Sequence, residues 1–426
     1  MLLMTGTCDA RAVVLSTTRH RKLRLRGAPF RWAFIVASFF PWVSFNTNSL
    51  DMQPWPLIFA IILISTDKKL NLSSAFIYSI VVVAIGFFWA LIVSNSANFL
   101  AVRAFYGFSS FYIFYAAASS TIKRRYNILP LAKVLNIIWL IGALIEVKFP
   151  VVLAVFGKVR TTSGRGVTSF APEPSFFVAF LIFSSALILV LDGYNFRRSK
   201  KVHLANILAV LLLAKSAIGI AYLAVLGLCY LGYLILRMRP KKRGVYFLAG
   251  IAAVIVAVPI LLNSLTTDTR VLSLLMKLAA KGPLLLIKLD ASINERVAHV
   301  VLPIHGAIRN FFLPLGFDTF SESREFLQRF YNGFFWQSTG TDKIMSWFGE
   351  WIYTLGIFGV TGLVLIYFEF LKLSREARWT LTSISIILFS AIPVSFPLVG
   401  ILFAYVFGGG NYGQYHYRDF DPVSPK

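Results

Sequence analysis

The stretch SSAFIYSIVVVAIGFFWALIV, residues 73–93, decides the fold class because its 21 residues include no charged side chain. A helix needs about 20 apolar residues to cross roughly 30 Å of hydrocarbon. Similar runs recur along the 426-residue chain, separated by short charged loops, and 57% of all residues are hydrophobic. The sequence therefore predicts an all-α, polytopic integral membrane protein and excludes water-soluble classes.

The net charge of +24 does not indicate a nucleic-acid partner, because the Lys and Arg residues cluster in short segments between the apolar runs. This pattern sets membrane topology. Residues 1–29 contain six basic residues and one acid, Asp9, and are predicted to form a cytoplasmic tail. The tail could bind anionic membrane lipid, but a solvated topology anchor is the favoured interpretation.

The apolar runs predict 11 or 12 membrane spans within one domain, residues 30–407. They cover residues 30–45, 54–66, 73–93, 100–119, 131–145, 176–191, two short crossings within 202–236, then 245–262, 347–371, and one or two spans within 379–407. The basic loops between them then fall on the cytoplasmic side. Two segments are predicted to be external: residues 146–174, and a large outer loop at 263–346. Residues 408–426 are predicted to form a flexible tail.

Two of these assignments depend on breaks inside apolar runs. Basic loops flank residues 202–236 on both sides, so we expect two short helices that meet at an external turn near Lys215. One long span is the alternative, and it would place one basic loop outside. The last run is expected to divide, if it does, near Pro393 and Pro397.

The first outer segment is basic on the side of the membrane where positive charge is normally depleted. The stretch from Lys148 to Ser175 contains Lys148, Lys158, Arg160 and Arg165, and the one acid in that stretch is Glu173. The planar guanidinium group binds phosphate through two hydrogen bonds, so a lipid-linked phosphate or pyrophosphate is the natural ligand. The sequence Glu173-Pro174-Ser175 is equally consistent with an ordinary helix start.

The large outer loop contains a second group of candidate residues. They are Asp290, Ser292, Glu295, Arg296 and His299, followed by His305 and Arg309. Ser292 and Arg296 lie one helical turn apart, as do Glu295 and His299. A salt-bridged surface helix is the plainer interpretation of this spacing.

We expect no metal and no cofactor. The five histidines form no pair at i and i+4, and the chain has neither a P-loop nor a dinucleotide-binding fingerprint. Asp419-Phe-Asp421 lies in the terminal tail, where a chance match is the better interpretation than a nucleotide-sugar metal site.

Several of these segments together resemble a known family, the bacterial O-antigen and exopolysaccharide repeat-unit polymerases. The resemblance rests on the Arg-Gly…Glu-Pro-Ser pattern of residues 165–175, Asp290-x-Ser292-x-x-x-Arg296, the turn Pro314-Leu-Gly316-Phe317, and the re-entry at Trp347–Gly359. It covers roughly residues 165–359. The N-terminal third matches only in having many spans.

The resemblance implies a C-type membrane glycosyltransferase that uses a glycan on undecaprenyl pyrophosphate at the outer face of the bacterial inner membrane. Polymerases join lipid-linked repeat units, whereas O-antigen ligases of the same superfamily pass a chain to lipid A-core. Polymerase is favoured because His305 lies in no recognisable ligase motif. The Arg-x10-Gly pattern of some polymerases is also missing, since Phe176 stands where glycine would follow Arg165. A lipid-linked glycan flippase is the alternative from another class.

The same resemblance, with the charge pattern, leads to a hypothesis for individual residues. Arg165 and Arg296 would bind pyrophosphate, with Lys215 as a third cation. Glu173 would be the general base or would organise the arginines, and Asp290 is its rival. Further substrate contacts are assigned to Arg160, Ser175, Ser292 and His305. The expected partners are undecaprenyl-pyrophosphate-linked oligosaccharide, membrane lipid, and a chain-length regulator and flippase of the same pathway.

Overall fold

The structure is a computed structural model. It describes residues 28–44, 52–67, 70, 72–94, 99–150, 152–156, 166–237, 282, 284, 287–317, 319–337, 344–390 and 392–408. Within these ranges the secondary structure is helical and includes no β-strand, which confirms the predicted all-α class. Arg160, Arg165, the predicted span at 245–262, and residues 1–27 and 409–426 of the two predicted tails lie outside the described residues.

The helices are numbered here in chain order. They are α1 Ala28–Phe39, α2 Trp55–Thr66, α3 Ser74–Val93, α4 Phe99–Lys123, α5 Leu129–Lys148, α6 Pro174–Leu191, α7 Lys200–Leu208, α8 Ala217–Arg237, α9 Ala291–Arg309, α10 Phe320–Arg329, α11 Trp347–Phe368, α12 Arg375–Leu388 and α13 Pro397–Gly408. Short 3-10 turns cover Val152–Phe156 and Glu369–Lys372, and a π-helical turn, Ala209–Leu213, extends α7.

Five of the described helices are long and apolar enough to cross a membrane: α3, α5, α6, α8 and α11 with its 3-10 extension. Helices α2 and α13 are apolar but shorter. The length and apolar composition of these helices are typical of a helical membrane protein, which is the class that the sequence predicts. The total of 11 or 12 spans stays a prediction, because part of the chain is not described.

Both expected breaks are present. The run at 202–236 forms α7 with its π turn and then α8, separated at Lys215, whose φ of 44° lies in the left-handed region. The last run divides into α12 and α13, with Pro397 as the first residue of α13. Proline fits the first turn of a helix because no intrahelical acceptor is available there.

Helices α3 and α11 approach closely through small residues. A methyl group added at Gly86 would lie 2.4 Å from Phe358, and one at Gly362 would lie 2.5 Å from Val83. The hydroxyl of Ser79 donates a hydrogen bond to the Gly362 carbonyl at 2.8 Å. Small residues allow this approach in a membrane, where van der Waals packing and interhelical hydrogen bonds stabilise helix pairs.

Aromatic packing holds α5 and α6 together. The Trp139 ring stacks on those of Phe177 and Phe180, with ring centroids 6.0 and 4.0 Å apart. Its indole N–H donates to the carbonyl of Phe39 at 2.9 Å, so α1 joins the same cluster. The start of α6, where Glu173 lies, is therefore attached to a rigid part of the core.

A second, smaller core forms within the predicted large outer loop. It contains Ala298 and Leu302 of α9, Phe320 and Leu327 of α10, and Tyr353 of α11. Helix α9 carries several charged residues and is not among the candidate spans. Residues of the predicted outer loop thus form a folded unit that packs on the first turns of α11.

Candidate functional site

The segment of residues 166–173, called here the motif loop, is folded against the end of α5. The carboxylate of Glu146 accepts hydrogen bonds from the backbone N–H of Thr168 at 2.9 Å and from the backbone N–H of Ser169. It also accepts one from the Thr168 hydroxyl at 2.9 Å. All three residues are buried. Glu146 therefore anchors the centre of the loop.

A second anchor comes from the left-handed conformation of Ser169, whose φ is 53°. In this conformation the Ser169 hydroxyl donates to the carbonyl of Trp139 at 2.8 Å. The ring of the next residue, Phe170, meets Trp139 edge-on, with centroids 5.4 Å apart. A left-handed backbone conformation at a non-glycine residue costs free energy, and it persists only where surrounding contacts impose it.

The beginning of the motif loop lies against the turn that carries Lys215. The N–H of Val167 donates to the carbonyl of Leu213 at 3.0 Å. A methyl group added at Gly166 would lie 1.9 Å from the carbonyl oxygen of Ala214. Only glycine permits this approach. The glycine of the Arg165-Gly166 pair therefore brings the loop against the Lys215 turn, and the exposed side chain of Lys215 lies at the same end of the helices.

Glu173 starts α6, but its side chain does not cap the helix. Its backbone has extended geometry at the N-cap position, and its carbonyl accepts the N–H of Phe177 at 3.2 Å. The carboxylate lies 3.9 Å from the guanidinium of Arg296, and the Ser175 hydroxyl donates to it at 3.3 Å. The helix-start interpretation is therefore correct for the backbone, whereas the carboxylate faces Arg296.

Arg296 lies near charged and polar residues from other parts of the chain. It belongs to α9, pairs with Glu173 at the start of α6, and lies within electrostatic range of Tyr222 on α8. The Tyr222 hydroxyl shares a hydrogen bond with the side chain of Ser390, just after α12. Among the described residues, the Nη1 atom of Arg296 is buried and has no hydrogen-bond partner. The site thus holds a positive group with an unused N–H donor.

Asp290 and Ser292 lie at the start of α9. The Asp290 carboxylate accepts the N–H of Ile293 at 3.0 Å, which makes it the N-cap of the helix. This bond gives Asp290 a structural role that the sequence hypothesis did not include. Ser292 is in the first turn of α9, and its side chain lies outside the described part of the structure.

His305 is not brought to the Glu173–Arg296 pair. It follows Arg296 by nine residues on α9, which in an α-helix means about 13.5 Å along the axis and the opposite face. Its ring contacts those of Phe330 and Tyr331, with centroids 5.4 and 5.5 Å away. The substrate-binding role assigned to His305 would need a subsite separate from the pair.

The structure thus brings together Glu173, Ser175 and Arg296, and places Lys215 beside the motif loop that leads to Glu173. Tyr222 and Ser390 were missed by the sequence analysis, since neither stands out in an apolar run. Glu146 was noticed only as a boundary. The signal that could have revealed it is a carboxylate at the end of a span, where an unpaired charge is costly.

Among the residues that the structure describes, no group of three or more His, Cys, Asp or Glu side chains could hold a metal ion. Comparisons of the chain with protein-family models, with curated proteins and with solved structures find no match.

Proposed function

We propose that this protein is a membrane glycosyltransferase that polymerises lipid-linked glycan repeat units. The donor would be a glycan on undecaprenyl pyrophosphate, and transfer would occur at the external face of a bacterial inner membrane. The observation that carries the proposal is the Glu173–Arg296 pair. Residues from two separate segments, both predicted to be external, converge, and among the described residues the arginine retains a buried donor without a partner.

A phosphate group suits this arginine chemically. A buried N–H donor that lacks an acceptor costs about 1–3 kcal/mol, and a phosphate oxygen would remove that cost. The Glu173–Arg296 contact of 3.9 Å is at the long limit of an ion pair. Pairs of this length are easily opened by a competing anion, so Arg296 can exchange the carboxylate for a pyrophosphate.

The proposed reaction is displacement at the anomeric carbon of the donor. The acceptor hydroxyl oxygen forms the new bond to this carbon, and the bond from the carbon to the pyrophosphate oxygen breaks. The electron pair leaves on undecaprenyl pyrophosphate, whose developing charge Arg296 stabilises. The hydroxyl proton passes to the carboxylate of Glu173, whose side chain is 28% exposed and so can be reached by an acceptor.

The position of the pair favours an enzyme over a flippase. Glu173 is the N-cap of α6, so the charges lie at a helix end. Transporters usually bind their substrate near the midplane of the membrane, between related halves of the chain. An O-antigen ligase would use the same donor, and the acceptor distinguishes the two transferases.

The test is a reconstituted assay with purified protein and lipid-linked oligosaccharide. We expect chain growth from the wild-type protein and loss of polymer in Arg296→Lys, because lysine keeps the charge but lacks the planar fork. Arg309→Lys is the matched control, since Arg309 is on the same helix but stacks on Phe326 and Phe330. Transfer to lipid A-core would indicate a ligase, and movement across the bilayer without a new glycosidic bond would refute both transferases.

A further inference from the structure

We propose that Glu146 is a positioning residue for this site: its carboxylate holds the motif loop in the one conformation that presents both Glu173 and the Lys215 turn. The proposal rests on the proposed function for its catalytic consequence, but the structural part stands independently. Glu146 lies at the end of α5, in the last turn before Lys148.

The geometry explains why a carboxylate is buried here. Two successive backbone N–H groups, of Thr168 and Ser169, converge on the same oxygen, Oε2, of Glu146. Successive N–H groups that point into one concavity form a typical anion-binding arrangement. The other oxygen, Oε1, accepts the Thr168 hydroxyl. The carboxylate of Glu146 is thus the anion that this turn of the loop needs.

These three bonds distinguish positioning from catalysis. Both oxygens of Glu146 are occupied, and the residue is 9% exposed. The carboxylate is therefore badly placed to take a proton from a substrate. Glu173, by contrast, is partly exposed and faces Arg296.

The bonds to Glu146 also fix the position of the residues before and after Thr168 and Ser169 in the motif loop. Toward its beginning, Gly166 and Val167 lie against the carbonyls of Ala214 and Leu213, next to Lys215. The π-helical turn directs these carbonyls, since the N–H of Ala214 bonds five residues back, to Ala209. Toward its end, only three residues separate Ser169 from Glu173. A shift at the Glu146 contact would therefore displace both charged groups.

The nature of the contact predicts how substitutions rank. In Glu146→Gln, the amide oxygen can accept both backbone N–H groups, and the NH2 group can donate to the Thr168 hydroxyl. In Glu146→Ala, the two N–H groups stay buried without an acceptor. We expect glutamine to preserve the loop and alanine to release it. A requirement for the charge itself would make the two variants equivalent.

Hydrogen exchange of the Thr168 and Ser169 amides tests this ranking without reference to activity. In the purified full-length protein in lipid nanodiscs, we expect slow exchange in the wild type and in Glu146→Gln, and exchange about tenfold or more faster in Glu146→Ala. Val147→Ala is the control, because Val147 is on the same helix with its side chain 55% exposed. Polymer formation by the same samples should follow the exchange rates.

A second variant covers the case in which Glu146→Ala does not fold. Thr168→Val keeps the shape of the side chain and removes only the bond from its hydroxyl, so exchange should rise to a smaller extent. Unchanged exchange in Glu146→Ala would overturn the positioning role. Fast exchange in Glu146→Gln would overturn the explanation that hydrogen bonds, and not the charge of Glu146, hold the loop. Fast exchange in Glu146→Ala with undiminished polymer formation would confirm that Glu146 holds the loop. It would overturn the claim that this contact matters for catalysis. Slow exchange in an inactive wild-type protein would instead count against the proposed function.

Discussion

The stability of the helical unit that contains α9 and α10 should depend on pH through one buried histidine, His299. Its side chain is 2% exposed, its ring lies 5.4 Å from that of Phe320, and its Nδ1 atom accepts the N–H of Met345 at 3.3 Å. Burial, together with the nearby positive charge of Arg324, lowers the pKa of His299 to about 4. The native protein therefore keeps this ring neutral down to low pH.

The sign of the effect follows from proton linkage. In the unfolded chain the pKa of a histidine is about 6.5. Between pH 6.5 and 4, His299 is therefore protonated in the unfolded chain and neutral in the native protein. The contribution of neutral His299 to the free energy of unfolding is complete above pH 6.5 and is lost as the pH falls toward 4. Integrating the difference in bound protons over pH gives a loss of unfolding free energy of about 2 kcal/mol between pH 7 and pH 5, and of about 3 kcal/mol by pH 4.

The assay is hydrogen exchange of α9 and α10 at pH 7 and pH 5, corrected for intrinsic exchange and expressed as the free energy of local opening. The variant His299→Gln supplies the reference, because its amide oxygen can still accept the Met345 N–H but cannot titrate. Between pH 7 and pH 5, we expect the free energy of local opening to fall by about 2 kcal/mol more in the wild-type protein than in the variant. Equal losses in both proteins would refute the assignment of the pH dependence to His299.

Two glycine substitutions extend the predictions for Arg296 and Glu146. In Gly166→Ala, the new methyl group would lie 1.9 Å from the carbonyl of Ala214, so we expect a destabilisation of about 2 kcal/mol and loss of polymer, measured by thermal unfolding and the reconstitution assay. In Gly356→Ala, a φ of 56° and a 2.3 Å approach to the Phe312 carbonyl should destabilise the protein by about 2 kcal/mol or more. Gly227→Ala, whose methyl group would meet nothing within 4 Å, should behave as wild type in both measurements.

The helix positions were largely predictable from local sequence. The apolar run at 73–93 forms α3 over Ser74–Val93, with Ser73 as its N-cap. The break at Lys215 was predictable because basic loops on both sides of residues 202–236 favour an even number of crossings. The separation of His305 from Arg296 was also open to prediction, since nine residues place two side chains on opposite helix faces.

The site was only partly predictable, because its contacts join distant parts of the chain. Sequence analysis proposed that Glu173 and Arg296 act together, but 3.9 Å between their charged atoms is a result of how α6 and α9 pack. It named Asp290 as a rival base, which stays a prediction, and it did not anticipate that the carboxylate caps α9. It passed over Glu146, since three hydrogen bonds to a loop 22 and 23 residues away leave no local pattern.

The sequence by itself determined that this chain forms apolar helices suited to a membrane, because hydrocarbon provides no partners for the backbone and a spanning segment must satisfy its own hydrogen bonds. Only the tertiary structure decided which polar side chains meet at the end of those helices. That outcome depends on the rotation and approach of each helix, set by small residues such as Gly86 and Gly362 and by aromatic packing around Trp139. Neither the rotation nor the approach is encoded in the composition of any single run.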